Sequence, residues 1–292
     1  MVRIERVLCP VDQSPVSRLA LGHAVNLARW YGARVEVLEM VPSGLPPMML
    51  PPSPPVLTLS GEAREALSAA LDDFVAPFRG REVPIETAIV EGDVVNGILE
   101  AARQGGADLL VIGTHGRSGL QHLTLGSVAE KVIRRAACPV LTVPPGARAV
   151  EDRHTTHTVL CATDFSPASL LAVERAFSLA QEADASLVLM HVLEWPEAWT
   201  DALPETRHDW EGRAEARLSD LVPEGAEDWC HVTTVVTVGR SADQIVREAD
   251  ARGADIIVMG VHGRDRLERL LFGSTTYRVI REAHCPVLTV RG

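Results

Sequence analysis

The chain has 292 residues, of which 46% are hydrophobic, and a formal net charge of −11. That length can bury two ordinary cores, and the acid excess repels a phosphate backbone, which argues against nucleic-acid binding. No run of about 18 apolar residues occurs, so no membrane-spanning helix is expected, and the short apolar run after Arg6 reads as that of a soluble, cytoplasmic, unexported protein.

The first predicted strand, near 5–12, carries Val7-Leu8-Cys9-Pro10-Val11-Asp12. Ser14-Pro15 follows, an N-cap with proline at the first helical position. Val16, Ala20, Ala24, Leu27 and Tyr31 then recur at helical spacing and mark the face turned to a sheet. Further strands are predicted near 34–41, 84–91, 108–113 and 139–143, with helical patterns between them. Continuous apolar strands alternating with helices require a parallel sheet covered on both faces. After the second strand, residues 42–55 are proline-rich and stiff. They read as a surface loop, a gate or a docking surface for a partner. After the fourth strand comes Gly113-Thr114-His115-Gly116, nine residues, and then Gly126-Ser127.

The same order then returns. Val159-Leu160-Cys161-Ala162-Thr163-Asp164 repeats the first strand at a shift of 152, and Cys285-Pro286-Val287-Leu288-Thr289-Val290 repeats Cys138-Pro139-Val140-Leu141-Thr142-Val143 at a shift of 147. A period this long means duplicated domains, not a solenoid. The repeats are placed at 1–147 and 154–292, joined by a proline, glycine and charge-rich connection. Second-copy strands are expected near 157–164, 186–193, 231–238, 255–260 and 286–290. Glu194-Trp195-Pro196-Glu197-Ala198-Trp199 takes the place of the proline-rich stretch. The fourth strand again ends in Gly260-Val261-His262-Gly263, nine residues, and Gly273-Ser274.

Glycines at these places permit a positive φ and let a ligand approach main-chain N–H groups without meeting a Cβ. Gly126-Ser127 leads into the helical pattern Val128, Val132, Ile133 and Ala136, whose first amides form an anion seat. The competing reading is architectural: glycine is common after a buried strand, and Ser127-Val128-Ala129-Glu130 has the form of a capping box. Asp12 and Asp164 likewise fit either a ligand contact or a helix cap. Four of the five cysteines, Cys9, Cys161, Cys138 and Cys285, fall in predicted strands and read as buried reduced thiols, and Cys230-His231 and His154 with His157 lack the ligand count of a metal site.

The strand-one aspartate together with the pattern glycine, two residues, glycine, nine residues, glycine-serine resembles the ATP-binding class of universal stress proteins, twice over and across nearly the whole chain. The resemblance implies an α/β fold of two tandem doubly wound domains, each a five-stranded parallel sheet in order 3-2-1-4-5, with nucleotide where strands one and four diverge. It places the adenosine against Asp12 and the backbone around Val41, and the ribose and phosphates against Gly113, His115, Gly116, Gly126, Ser127 and Val128. The matching positions are Asp164, Val192, Gly260, His262, Gly263, Gly273, Ser274 and Thr275, and Arg117 and Arg264 can offset phosphate charge. ATP with Mg2+ is the implied ligand, and the last strands of the copies are expected to pair antiparallel as an internal pseudo-dimer, with a further homodimer open.

Fast phosphoryl transfer is not expected, because the only lysine, Lys131, lies within a helix and no P-loop sequence occurs. No catalytic residue and no protein-held metal ion is expected. The function implied is stress-linked sensing or regulation through conformation or an unknown protein partner. A slow ATPase is the alternative, and an electron-transfer flavoprotein a more distant one.

Overall fold

The computed structural model describes residues 2–43, 59–80, 82–116, 125–150, 157–194, 204–261 and 273–292. By contact the chain falls into two compact units, Ile4–Cys138 and Pro139–Gly292. Each is a parallel α/β sheet with helices between the strands.

In the first unit, β1 (Arg6–Val11), β2 (Arg34–Pro42), β3 (Ile85–Gly92) and β4 (Leu109–Gly113) lie in the order β3-β2-β1-β4. The helices are α1 (Pro15–Tyr31), α2 (Gly61–Val75), α3 (Val94–Gly105) and α4 (Ser127–Arg135). Parallel strands need such crossovers, and their helices bury the sheet. Val7, Val35, Val37, Leu110 and Val111 are fully buried. The Ala20, Ala24 and Leu27 stripe of α1 is buried as expected, while Val16 and Tyr31 at its ends are half-buried.

The second unit contains β5 (Val140–Val143), β6 (Thr158–Ala162), β7 (Ser186–Leu193), β8 (Val232–Val238), β9 (Ile256–Val261) and β10 (Val287–Arg291), ordered β5-β10-β9-β6-β7-β8. Its helices are α5 (Pro167–Ala183), α6 (Pro204–Ser219), α7 (Ser241–Arg252) and α8 (Ser274–Glu282). The sequence-predicted strands therefore form within a residue or two of their expected limits. β5 is the one antiparallel member, with Leu288 opposite Leu141. Two buried hydroxyls reinforce it: Thr142 donates to the Val287 carbonyl at 3.1 Å and Thr289 to the Val140 carbonyl at 3.0 Å. The edge of β10 is thus paired rather than left as an open template.

Cys9 and Cys161 are buried in β1 and β6, where desolvation pushes both thiols far up. Cys138 and Cys285 correct the sequence expectation. They precede β5 and β10 instead of lying within them and are only partly covered, though burial and nearby acids push Cys285 up to about 12.

The two first helices begin alike and end differently. Ser14 and Ser166 accept from the backbone N–H of Ser17 and Ser169, with Pro15 and Pro167 next in line. At the other end α1 stops at Gly32 with φ 64°, while α5 stops at Asp184 with φ 52°. A side chain in the left-handed region strains the backbone that glycine tolerates. Asp184→Gly is therefore expected to raise stability by about 0.5 kcal/mol and Gly32→Ala to lower it by about 1 kcal/mol, read from urea unfolding midpoints.

Candidate functional site

In the first unit β1 stays paired to β2 as far as Val11 opposite Glu39, whereas its pairing with β4 involves Val7 with Leu109 and Leu8 with Leu110. Beyond those pairs a cleft of about 390 Å³ opens at the carboxyl ends of the strands. Asp12, Met40, Ile98, Thr114, Gly116 and Ser127 are among its walls. In open α/β sheets this is the place where ligands bind.

Asp12 has two tasks. Its Oδ1 accepts from the Ser14 N–H at 3.1 Å, holding the turn into α1, while the helix cap itself is Ser14 and not Asp12. Its Oδ2 lies where a Cβ on Gly116 would come within 2.7 Å. Gly116 thus has no room for a side chain beside the carboxylate. Gly126 is held against the end of β4, its N–H donating to the Thr114 carbonyl at 2.8 Å, and a Cβ there would meet that oxygen at 2.8 Å. Gly113 is tight against α1, where a Cβ would approach Val16 Cγ1 to 2.9 Å.

None of Gly113, Gly116, Gly126, Gly260 or Gly273 has a positive φ, which corrects half of the sequence reading. At Gly113, Gly116, Gly126 and Gly260 glycine serves close approach, not handedness.

The capping box is also absent. Gly126 is the N-cap of α4, Ser127 is already the first helical residue, and among the described residues no side chain caps the helix. By contrast Ser14, Ser60 and Asp93 cap α1, α2 and α3. The start of α4 therefore presents backbone N–H groups and the positive end of its dipole at the cleft wall. Beside it stands His115. Its Nδ1 is 3.0 Å from the Thr114 hydroxyl, and its Nε2 is buried with no hydrogen-bond partner among the described residues. A buried polar atom left unsatisfied costs free energy unless something else meets it.

The family model for the "Universal stress protein family" matches residues 3–144 and 155–291. The chain belongs to that family. A Mycolicibacterium smegmatis universal stress protein is 28% identical over 98% of this chain and 96% of its own. One from Methanocaldococcus jannaschii is 37% identical over 48% of this chain and 81% of its own. Among solved structures, a universal stress protein from Archaeoglobus fulgidus superposes with a TM-score of 0.68 at 21% identity, covering 98% of both chains. A functionally unknown Pseudomonas aeruginosa protein gives 0.70 at 20% identity, covering 99% of this chain and 92% of that one. At such identities the structural likeness speaks for the fold.

In this universal stress protein the second repeat keeps the frame and changes the lining. Asp164 Oδ1 accepts from the Ser166 N–H at 3.0 Å, as Asp12 does from Ser14. α8 has Gly273 as N-cap and no side-chain cap, with Ser274 and Thr275 in its first turn. Arg117, His262, Gly263 and Arg264, the proline-rich 44–55 and the Trp195–Trp199 stretch lie outside the described residues. The sheet register also shifts one expected correspondence. Leu38 pairs with Pro10 and Met190 with Ala162, so Val41 corresponds to Leu193, and Val192 corresponds to Met40. Met40 and Pro42, on either side of Val41, line the cleft.

Sequence reasoning missed Gln13, Glu39 and Thr114. Glu39 is only 6% exposed and accepts from Gln13 Nε2 at 2.7 Å. The signal was present: a polar residue interrupts an apolar strand at the same register position in both copies, as Glu39 and as His191. Among the described residues no cluster of three or more His, Cys, Asp or Glu is arranged to hold a metal ion, and no helix is long and apolar enough to cross a membrane.

The glycines' packing role can be separated from any ligand role. A Cβ at Gly260 would come within 2.5 Å of the Ala168 and Ser169 backbone, while at Gly273 the nearest atom is 3.8 Å away. Gly260→Ala is expected to cost about 1–3 kcal/mol in urea unfolding and Gly273→Ala less than about 1 kcal/mol.

Proposed function

We propose that the first-repeat cleft binds ATP with Mg2+ and that the chain is a stress-linked sensor or regulator acting through conformation or an as yet unidentified protein partner. The observation that carries this reading is the buried Nε2 of His115, without a hydrogen-bond partner among the described residues, beside the first turn of α4, whose N-cap is glycine. The helix start favours an anion, and in the tautomer with its proton on Nε2 His115 donates to one as well, so a phosphate chain answers both. In this reading the Ser127 and Val128 amides, with Gly126 and Gly116 giving close backbone approach, hold the phosphates. His115 contacts a phosphate oxygen, and the backbone around Val41 takes the base. Asp12 is the acid placed to share Mg2+ with the phosphates, since Mg2+ takes one or two carboxylates and keeps the rest of its shell from phosphate and water.

Storage rather than rapid turnover follows from what flanks the cleft. Lys131 is exposed within α4, away from the glycine turn, and so does not take the place of a P-loop lysine beside the phosphates. Bound nucleotide would add favourable contacts between the β4 end and α4 and so favour the conformation that makes them. The corresponding second site, at Asp164, Gly260, Gly273, Ser274 and Thr275 together with His262, Gly263 and Arg264, is proposed on the repeated sequence. A cytoplasmic setting is proposed with it.

The test is to denature freshly purified protein, identify and quantify released nucleotide by chromatography and mass spectrometry, and titrate ATP into nucleotide-stripped protein. ATP released from the wild-type chain, with affinity about tenfold or more weaker in Gly116→Ala, is the expected outcome, because the new Cβ displaces the Asp12 carboxylate. Absence of nucleotide together with no binding of added ATP refutes the proposal.

A further inference from the structure

The residue after the strand-one aspartate has the same unusual backbone in both repeats: Gln13 at φ 60° and Phe165 at φ 62°. Each meets the side chain that occupies one particular register position on the neighbouring strand. In the first repeat Gln13 Nε2 donates to Glu39 Oε2 at 2.7 Å. In the second, the Phe165 ring stacks on His191 with centroids 4.6 Å apart, and His191 Nδ1 is 2.8 Å from the Thr163 carbonyl. The Arg217 guanidinium lies over Phe165, 3.8 Å from the ring centroid. One frame thus carries two different pairs, a polar acid pair and an aromatic pair beneath a cation.

Glu39 is the unusual member. It is 6% exposed, lines the cleft, and has the Gln13 amide as its one hydrogen-bond partner among the described residues. Burying a carboxylate on so little support is costly. The oxygen that Gln13 leaves unengaged is an acceptor at the cleft wall. β2 lies on the opposite side of β1 from β4, and at about 4.8 Å per strand the carboxylate stands roughly 10 Å across the sheet from the end of β4. A ligand whose phosphates sit on α4 therefore brings its other end towards Glu39.

We infer that Glu39 is a specificity residue of the first repeat, selecting a ligand with a hydrogen-bond donor, an amine or a hydroxyl, on its nucleoside end, and that the second repeat, with His191 in that position, does not share this selection. The inference rests on the nucleotide reading of the cleft and adds to it which group is recognised.

Hydrogen exchange of the amides at 126–131 reports the first repeat alone within the full chain. With that readout, ATP, inosine triphosphate, 2′-deoxy-ATP and 3′-deoxy-ATP are titrated into wild-type protein and Glu39→Met. The wild-type chain is expected to bind at least one of the three analogues about tenfold or more weaker than ATP, the size of a hydrogen bond to a charged group. Glu39→Met should bind ATP only as well as that analogue and no longer distinguish the two. Loss with the inosine nucleotide assigns the base amine, and loss with a deoxy nucleotide assigns the sugar hydroxyl. If Glu39→Met does not fold, Gln13→Phe combined with Glu39→His, which borrows the second repeat's own pair, gives the same comparison. Equal ratios for all three analogues in wild type and variant overturn the inference while leaving the nucleotide reading intact. Failure of ATP to protect 126–131 in the wild-type chain overturns both.

Discussion

The parting of β1 from β4 is the constraint on which the rest of the first repeat depends. β1 follows β2 to Val11 but pairs with β4 at Val7 and Leu8, so the sheet opens at its carboxyl end and leaves a space that helices border and do not fill. The opening is framed by tight contacts. α1 is drawn onto the end of β4 at Gly113, and Gly126 is bonded back to Thr114, which sets the start of α4 at the mouth.

Helix beginnings divide into two kinds, and the division is chemical. Where α1, α2, α3 and α5 start, a serine or aspartate side chain satisfies an early amide. At α7, which has no cap from its own N-cap residue, the Glu194 carboxylate accepts from the Ser241 N–H at 3.0 Å. At α4 and α8 the N-cap is glycine and no side chain serves. Glycine in place of serine or aspartate at the N-cap forgoes roughly a few tenths of a kcal/mol of local stability. At Gly126 the same glycine also lets the helix start pack against the Thr114 carbonyl, where a Cβ would come within 2.8 Å.

Duplication gave both repeats this frame without giving them the same interior. Asp12 and Asp164 make the same turn contact, and Gln13 and Phe165 adopt the same backbone, yet the side chains they face are a carboxylate and an imidazole. Strand and turn geometry is set by main-chain hydrogen bonding and tolerates such exchanges. The lining is free to diverge, and this is how one fold carries two recognition chemistries.

Much was legible in the residues alone. The apolar runs and helical stripes gave the strand order of events along the chain, the repeat gave the two-fold organisation, and the glycine spacing pointed to the ends of β4 and β9, because periodicity and chain-local turn chemistry are properties of short segments. What the glycines do was not legible. A positive φ and a close approach demand the same residue, and only the packed positions of Val16, Asp12 and Thr114 show that approach is the reason. Nor was Ser127 legible as a helical residue instead of a cap, since the form Ser-x-x-Glu fits both. Glu39 and the unpartnered His115 Nε2 belong to the same class. The sequence by itself determined which segments become strands and helices and that they occur twice. The tertiary structure decided which polar atoms end up buried at one cleft and which of them are left without a partner, because burial and satisfaction depend on neighbours that lie tens of residues away along the chain.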